Sequence, residues 1–506
     1  MTQTFYLSKT DFMHWLICPA YAWIAKHKKA LVPEEEDRYL LERIFAVGYE
    51  VEEYALKLFG PGKRVQAFGP RAAEFTKTLA DEGKPVIHQA TALSPEGYMA
   101  RADILVRDED GDGWAIYEVK SSARVKSEHL LDVAFQRLAF ERSGYKITKT
   151  AVIHLNRDYV REGELDPAKM LVTVDVTTKV KALLPKVTKQ AAEAAAYVAS
   201  PLEPTTCTCN RKASQWERCP TVHYFHPKML DRSLFHVSGI GKKVFEDLVD
   251  KEIFTVEEIP DGVKLTDRVH HYRLALKEGR AIVKESAIKK ILDGLKFPLY
   301  FLDYETTTSG LPLFDGTRPY QNMPFQYSLH VLDKPGGKLK HHEYLATDQT
   351  ADPVSELCAS LQQAIPASGG TVLVWYKAFE MGCNSQMAEM RPQYAEFLKS
   401  VNDRVFDLMT IFSDFHYLHP DFKASASIKN VLPVIVPELT YSDLTVQKGD
   451  RASAMWEDSL KPDFKDDRAK LYADLLEYCK LDTLAMVRIY EHLLEITGAG
   501  KATVQG

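Results

Sequence analysis

The chain has 506 residues and a formal net charge of −6, a length that suits two or three domains. The negative balance excludes a protein coated in positive charge for indiscriminate nucleic-acid binding. It does not exclude an enzyme whose acidic centres hold metal while local patches meet phosphate. No run of about 18 apolar residues appears, and the stretch from Met1 to Phe12 lacks a signal-peptide core, so a cytoplasmic chain with no membrane partner is expected.

In chain order, residues 1–60 read as helices, with apolar spacing through Phe12, Trp15 and Leu16 and again from Phe45 to Phe59. Residues 85–160 change period. Ile104-Leu105-Val106 and Trp114-Ala115-Ile116-Tyr117 read as strands joined by the turn Asp110-Gly111-Asp112-Gly113. Leu130 to Phe140 returns to helical spacing, and Thr150 to Leu155 reads as a further strand, giving an α/β core. A Lys/Ala-rich helix is expected over 177–198, a loop from Pro201 to Pro220, and a helical stretch over 228–295. A second α/β domain then begins at Phe297, with strands near 325–332 and 371–376, and ends in a long helix around 468–496. The division expected is 1–225, 226–296 and 297–498, with a frayed tail beyond.

Two acidic constellations carry chemistry. In Tyr117-Glu118-Val119-Lys120, side chains two apart on a strand share a face, so Glu118 and Lys120 project together. Asp103 lies on the preceding strand of the hairpin and can face them. Two carboxylates can hold a divalent metal, and the lysine can orient water or offset phosphorane charge. The plain alternative is an edge strand with alternating exposed charges.

The second constellation begins in Phe301-Leu302-Asp303-Tyr304-Glu305-Thr306. Asp303 and Glu305 stand two apart on an otherwise apolar strand, and buried strands carry charge when it is paired or binds metal. Downstream, Tyr478 and Asp482 fall one turn apart on one helix face. Between them, Trp375 to Glu380 reads as a strand running into a helix start. The plain alternative here is a structural α/β domain with incidental acids.

Seven cysteines make an odd count that argues against a disulfide framework. Cys358, Cys383 and Cys479 are scattered and read as small core residues. Cys207, Cys209 and Cys219 crowd one polar loop, where core packing is a poor explanation. The string Val237-Ser238-Gly239-Ile240-Gly241-Lys242-Lys243 resembles the hairpin of helix–hairpin–helix DNA-binding modules. Gly239 and Gly241 would allow the turn, backbone N–H groups would meet phosphate, and Lys242 and Lys243 would add attraction. An ordinary glycine-containing helix connection is the alternative.

The N-terminal half resembles the PD-(D/E)xK nucleases, specifically the RecB family and its relatives in CRISPR adaptation. The match rests on Leu7-Ser8-Lys9-Thr10 with Cys18-Pro19, on Gly48 with Glu52, on Asp103, Glu118 and Lys120, and on Gln136 with Phe140. The resemblance implies a restriction-endonuclease-like fold in which Glu52, Asp103 and Glu118 hold metal and Lys120 and Gln136 complete the site. Glu52 stands where that family usually has histidine. It also implies a [4Fe–4S] cluster on Cys18, Cys207, Cys209 and Cys219. The Cys-x-Cys spacing departs from the family's, so His223 or His226 is a substitute ligand and Zn²⁺ an alternative occupant.

The C-terminal half resembles the DEDD exonucleases of the DnaQ-like, RNase H-fold superfamily, in the subtype with tyrosine in the last motif. Asp303 and Glu305 match the first motif, Glu380 the second, and Tyr478 and Asp482 the third. The second motif normally ends in Asp; Asp407 is the rival for the fourth carboxylate. Four carboxylates would hold two Mg²⁺ or Mn²⁺ ions, with Tyr478 positioning the attacking water. Both halves in one chain, with Ser427-Ile428-Lys429-Asn430-Val431-Leu432-Pro433, look like a bacterial family that fuses a RecB-like nuclease to a DnaQ-like exonuclease. The expected activity is metal-dependent phosphodiester hydrolysis, favouring single-stranded DNA ends over RNA. The alternatives are a nucleic-acid-binding scaffold with little turnover and a nuclease whose C-terminal site alone works.

Overall fold

The computed structural model describes residues 5–32, 38–206, 220–225, 234, 237, 239–440, 444, 446 and 449–499. The chain is mixed α/β and divides into two compact units. The first comprises residues 1–229 with 309–320, the second 230–308 with 321–506. The helical stretch expected to form a connector of its own therefore groups with the second unit. Ser309–Tyr320 groups with the first: Leu311 and Tyr320 pack there with Val47 and Val51.

In the first unit, strands β1 (Leu7–Ser8), β2 (Lys63–Arg64), β3 (Val86–Leu93), β4 (Tyr98–Arg107), β5 (Trp114–Lys120), β6 (Ile147–Leu155) and β7 (Leu171–Asp175) form one sheet. Its order is β2-β3-β4-β5-β6-β7, with β1 parallel to β4. The β4–β5 pair is an antiparallel hairpin across the Asp110–Gly113 turn, where Gly111 has φ +80°. β5 and β6 are parallel, which demands a crossover, and helix α5 (Ser127–Arg142) supplies it.

The remaining helices are α1 (Lys9–Ile17), α2 (Pro19–His27), α3 (Arg38–Leu56), α4 (Pro70–Asp81), α6 (Pro167–Met170), α7 (Thr177–Ala199) and α8 (Val222–Phe225). A capping box starts α1: Ser8 Oγ accepts from the Asp11 N–H at 3.1 Å, and the Asp11 carboxylate accepts from the Ser8 N–H at 3.0 Å. This fixes where Lys9 sits. Helices α1, α5 and α7 bury Phe12, Phe135, Val187 and Ala191 together. Helix α4 packs Leu79 against Ile87 and Ile116, and α3 packs Val51 and Ala55 near Ile104 and Ile153.

In the second unit, β9 (Leu299–Thr307) is the middle strand of a five-stranded sheet with β10 (Met323–Leu332), β11 (Leu339–Leu345), β12 (Thr371–Val374) and β13 (Val405–Asp407). The order is β11-β10-β9-β12-β13. β10 runs antiparallel to β9 and β11, while β12 and β13 run parallel to β9. Short strands β8 (Ile282–Val283) and β14 (Tyr417–Leu418) pair separately. The helices are α9 (Lys242–Asp250), α10 (Asp267–Glu278), α11 (Glu285–Asp293), α12 (Pro353–Ala364), α13 (Lys377–Met390), α14 (Ala395–Asn402), α15 (Thr410–Ser413), α16 (Ile428–Ile435), α17 (Gly449–Ser459) and α18 (Arg468–Thr497).

Helix α18 is 30 residues long, starts at the Asp467 cap and stops at Gly498 in the left-handed conformation. It packs along β9 and β10, where Phe301, Leu373, Ile489, Tyr490 and Leu493 share one core. Phe135 stacks on Phe12 at 4.6 Å between ring centroids and is fully buried. Phe135→Ala should therefore destabilise the first unit by about 3–5 kcal/mol, read as faster amide exchange in α1 and α5.

Candidate metal centres

The second unit gathers carboxylates on the central strand. The pleat points Asp303 and Glu305 to one face of β9. Helix α18 crosses them and presents Tyr478 and Asp482, one turn apart and both buried. Glu380, 2% exposed, comes from the first turn of α13. Its carboxylate accepts a hydrogen bond from the Tyr304 N–H. The Tyr304 hydroxyl donates to Asn384 Oδ1 at 2.8 Å, which pins α13 to β9.

These acids repel one another. Burial, then Asp482, pushes the Asp303 carboxyl well above its ordinary range. Burial, then Asp303 and Asp482, does the same to Glu305, against a small opposing pull from Lys429. Glu380 is raised by burial, then by Asp303 and Glu305. Its Oε2 is buried with no hydrogen-bond partner among the described residues. A buried acceptor of that kind is costly unless something electropositive meets it. The donor set is all oxygen apart from one sulfur, which suits a hard divalent ion.

Asp407 does not join this group. Its carboxylate accepts from the N–H groups of Tyr376 (3.1 Å), Lys377 (2.9 Å) and Met409 (3.1 Å). It thereby holds the start of α13, where Tyr376 has φ +83°. Its work is to aim Glu380 from the neighbouring strand. Cys479, read from sequence as simple packing, sits at the centre instead. Its Sγ lies 3.7 Å from Asp303 Oδ2, and Asp303, Glu305 and Cys479 offer atoms all within 4.8 Å of one another. Burial, then Asp303 and Glu305, pushes its thiol up, so in the metal-free protein Cys479 is a protonated donor toward Asp303. The start of α17 lies alongside: a Cβ on Gly449 would stand 3.5 Å from Glu305 Oε2 and 3.9 Å from the Tyr478 hydroxyl.

The first unit builds a different centre. Asp103 Oδ2 accepts from the Val119 N–H at 2.7 Å, which fixes it against β5. Gln89 Nε2 donates to Glu52 Oε1 at 2.7 Å and to Asp103 Oδ1 at 3.2 Å. Gln89 has φ +56° and stands opposite Asp103 in the β3–β4 pair, between His88↔Ile104 and Ala90↔Ala102, so its left-handed backbone locally breaks the ladder without shifting the register. Burial, then Glu118, raises Asp103 well above its usual range, and burial also raises Glu52.

Glu118 is compensated. Its Oε1 receives Lys9 at 2.9 Å and Lys120 at 2.7 Å, and its Oε2 receives Gln136 at 2.7 Å. Burial opposes the charged form, but Lys120 and Lys9 outweigh it and hold the carboxyl far below its ordinary range. Asp132 closes the network, accepting from Lys120 at 2.7 Å and Gln136 at 2.8 Å, with Lys9 at 3.2 Å. Sequence reasoning passed over Asp132 and the role of Lys9. Asp132 stands one helical turn before Gln136, which is a usable signal. Gln89 carried none.

Cys18 is buried and caps α2, its Sγ accepting from the Tyr21 N–H at 3.5 Å. Its expected cluster partners Cys207, Cys209 and Cys219, and the alternative His226, lie outside the described residues. His223 is in α8, but its side chain falls outside them too. At the hairpin string, Gly239 has φ +102° and a Cβ there would stand 3.0 Å from Thr266 Oγ1, so glycine is required. Gly241 caps α9, and Lys242 and Lys243 open that helix on the surface, Lys242 3.5 Å from Glu246.

A family model described as a domain of unknown function, DUF2779, matches residues 300–427. That stretch contains Asp303, Glu305, Glu380 and Asp407 and ends before Tyr478. An uncharacterised protein of Mycoplasma pneumoniae, an MG366 homologue, is 23% identical over 241 residues, 44% of this chain and 36% of its own length. The uncharacterised MG366 protein of Mycoplasma genitalium is 24% identical over 243 residues, again 44% and 36%. The chain thus spans about a third of the curated relatives it matches. The solved structure of SSO0001 is 11% identical with a TM-score of 0.23, covering 44% of this chain and 86% of that one, a likeness that carries no argument. No helix among the described residues is long and apolar enough to cross a membrane.

Two outcomes follow for the second unit. Because Asp303, Glu305 and Glu380 are raised, its folded state holds more protons than the unfolded chain above the ordinary carboxylate range of about 4. Stability in EDTA should be greatest at the acid end of that window and fall as pH rises through the raised values. Urea midpoints from acid to mildly alkaline pH should show this, with a shallower fall in Glu305→Gln. Asp303→Asn should stabilise the metal-free protein by on the order of 1 kcal/mol, and Mn²⁺ should raise the Tm of the parent but not that of Asp303→Asn.

Proposed function

We propose that this chain is a metal-dependent nuclease, hydrolysing phosphodiester bonds at single-stranded DNA ends, with its main centre in the second unit. The observation that carries the reading is the convergence of Asp303, Glu305, Glu380 and Asp482, with Glu380 Oε2 unpartnered among the described residues. The mixed sheet with its acids on the middle strand supports an RNase H-like exonuclease fold, and the E-x-K strand beside Asp103 supports a RecB-like module in the first unit.

Asp303, Glu305, Glu380 and Asp482 would hold Mg²⁺ or Mn²⁺. Such ions polarise a phosphodiester and lower the pKa of an attacking water. Tyr478 has a narrower task. Burial, then Asp482 and Glu305, pushes its phenol far up, so it remains a hydrogen-bond donor and acceptor at neutral pH and orients water without deprotonating it. Cys479 donates toward Asp303 and holds that carboxylate's rotamer. In the first unit, Glu52, Asp103 and Glu118 would hold the ion, Gln89 and Gln136 would fix their orientation, and Lys120 would offset phosphate charge.

A second reading keeps only the C-terminal centre active. It is favoured by Glu118, whose two oxygens already receive Lys9, Lys120 and Gln136. Such a carboxylate has less need of a metal than the uncompensated group around Asp303.

Cleavage of end-labelled single- and double-stranded DNA and RNA, with Mg²⁺, Mn²⁺ or EDTA, tests both readings. EDTA should abolish activity, and Asp303→Asn should remove at least about 100-fold of it. Glu118→Gln should remove a separate part if both centres work and nothing if one does. Hydrolysis untouched by both substitutions would sink the proposal. Tyr478→Phe should slow hydrolysis about 100-fold while the Mn²⁺-dependent Tm rise persists.

A further inference from the structure

A cleft opens beside Asp103, lined by Lys9, Phe68, Gln89, Met99 and Arg101. Phe68 is 79% exposed at its rim, an unusual place for a large apolar ring. The Arg101 guanidinium lies 5.0 Å from the centroid of that ring. Arg101 is itself fixed, donating to the carbonyls of Gln89 (3.2 Å), Val65 (3.0 Å) and Ala67 (3.1 Å). The ring therefore has a rigid cationic backing and one open face. Gly69, with φ +63°, follows it as the N-cap of α4, setting the ring at a sharp turn.

We infer that this cleft is a subsite for one nucleotide of an unpaired strand, its base stacked on Phe68 and its phosphate directed by Lys9 and Arg101 toward Asp103. An aromatic face can accept only a base that is not already stacked in a duplex, which selects single strands. Arg backing a ring adds to that platform. Lys9 and Arg101 line the same cleft as Asp103, and Gln89 ties the two parts together, since its carbonyl accepts from Arg101 and its amide donates to Asp103. The inference deepens the nuclease reading by naming how the first unit engages substrate. It rests on the chain handling nucleic acid, not on turnover at Glu118.

The test uses the full chain in EDTA, so that nothing is cleaved. Anisotropy of a labelled oligo(dT) should show roughly 5- to 100-fold weaker binding for Phe68→Ala, with Phe68→Trp close to the parent. Duplex binding should be unchanged. A 5-iodouracil in the strand should photo-crosslink to the peptide holding Phe68 in the parent chain. Because Phe68 is exposed, neither substitution should alter the circular dichroism melt.

Parent-like binding by Phe68→Ala, equal weakening by Phe68→Trp, or a crosslink elsewhere would each overturn the subsite. So would competition by dTMP as strong as that of the oligonucleotide, which would assign the cleft to a free nucleotide. If Phe68→Ala binds normally while Asp103→Asn loses hydrolysis, the subsite fails and the nuclease reading stands. If the parent binds no single strand at all, both fail.

Discussion

The mutual repulsion of buried carboxylates around Asp303 is the constraint that the second unit is organised to bear. Each of Asp303, Glu305 and Glu380 is penalised twice, by loss of water and by the others. Apolar burial along β9 and α18 opposes that penalty, through Phe301, Ile489, Tyr490 and Leu493. Polar ties then set the register. Gln326 Nε2 donates to the Leu475 carbonyl at 2.8 Å, and Thr483 bonds Ser328 at 2.7 Å and His330 at 2.8 Å. These bonds hold α18 at the rotation that turns Asp482 and Tyr478 inward.

The first unit solves the same problem by compensation. Lys9 and Lys120 surround Glu118 and Asp132, so the network is close to balanced without an added ion. Buried charges that are paired and fully hydrogen-bonded can persist, whereas the same charges unpaired cannot. The contrast is between a compensated carboxylate network in the first unit and an uncompensated one in the second. Beside the first unit's network lies the cleft where backbone carbonyls fix Arg101 against the exposed Phe68 ring.

Helix starts do much of the aiming. Ser8 and Asp11 cap α1 and thereby seat Lys9 beside Glu118. Asp407 holds the strained turn at Tyr376 and thereby aims Glu380. A residue on a different strand thus sets where the buried Glu380 carboxylate points. That is why Asp407 and Glu380 compete as candidates on sequence grounds and separate once their partners are known.

The sequence by itself determined whatever depends on local period. Spacing of two on a strand put Asp303 with Glu305 and Glu118 with Lys120, and spacing of four on a helix put Tyr478 with Asp482. Short apolar runs marked the strands, and the long last helix was placed around 468–496. Tertiary structure alone decided what depends on distant segments meeting: Lys9 on Glu118, Gln89 bridging Glu52 and Asp103, Cys479 against Asp303, and residues 230–296 joining the second unit. The physical reason is the range of the forces. Backbone periodicity acts over a few residues and is written in order, whereas a hydrogen bond between positions 109 residues apart exists only after the sheet has brought them together.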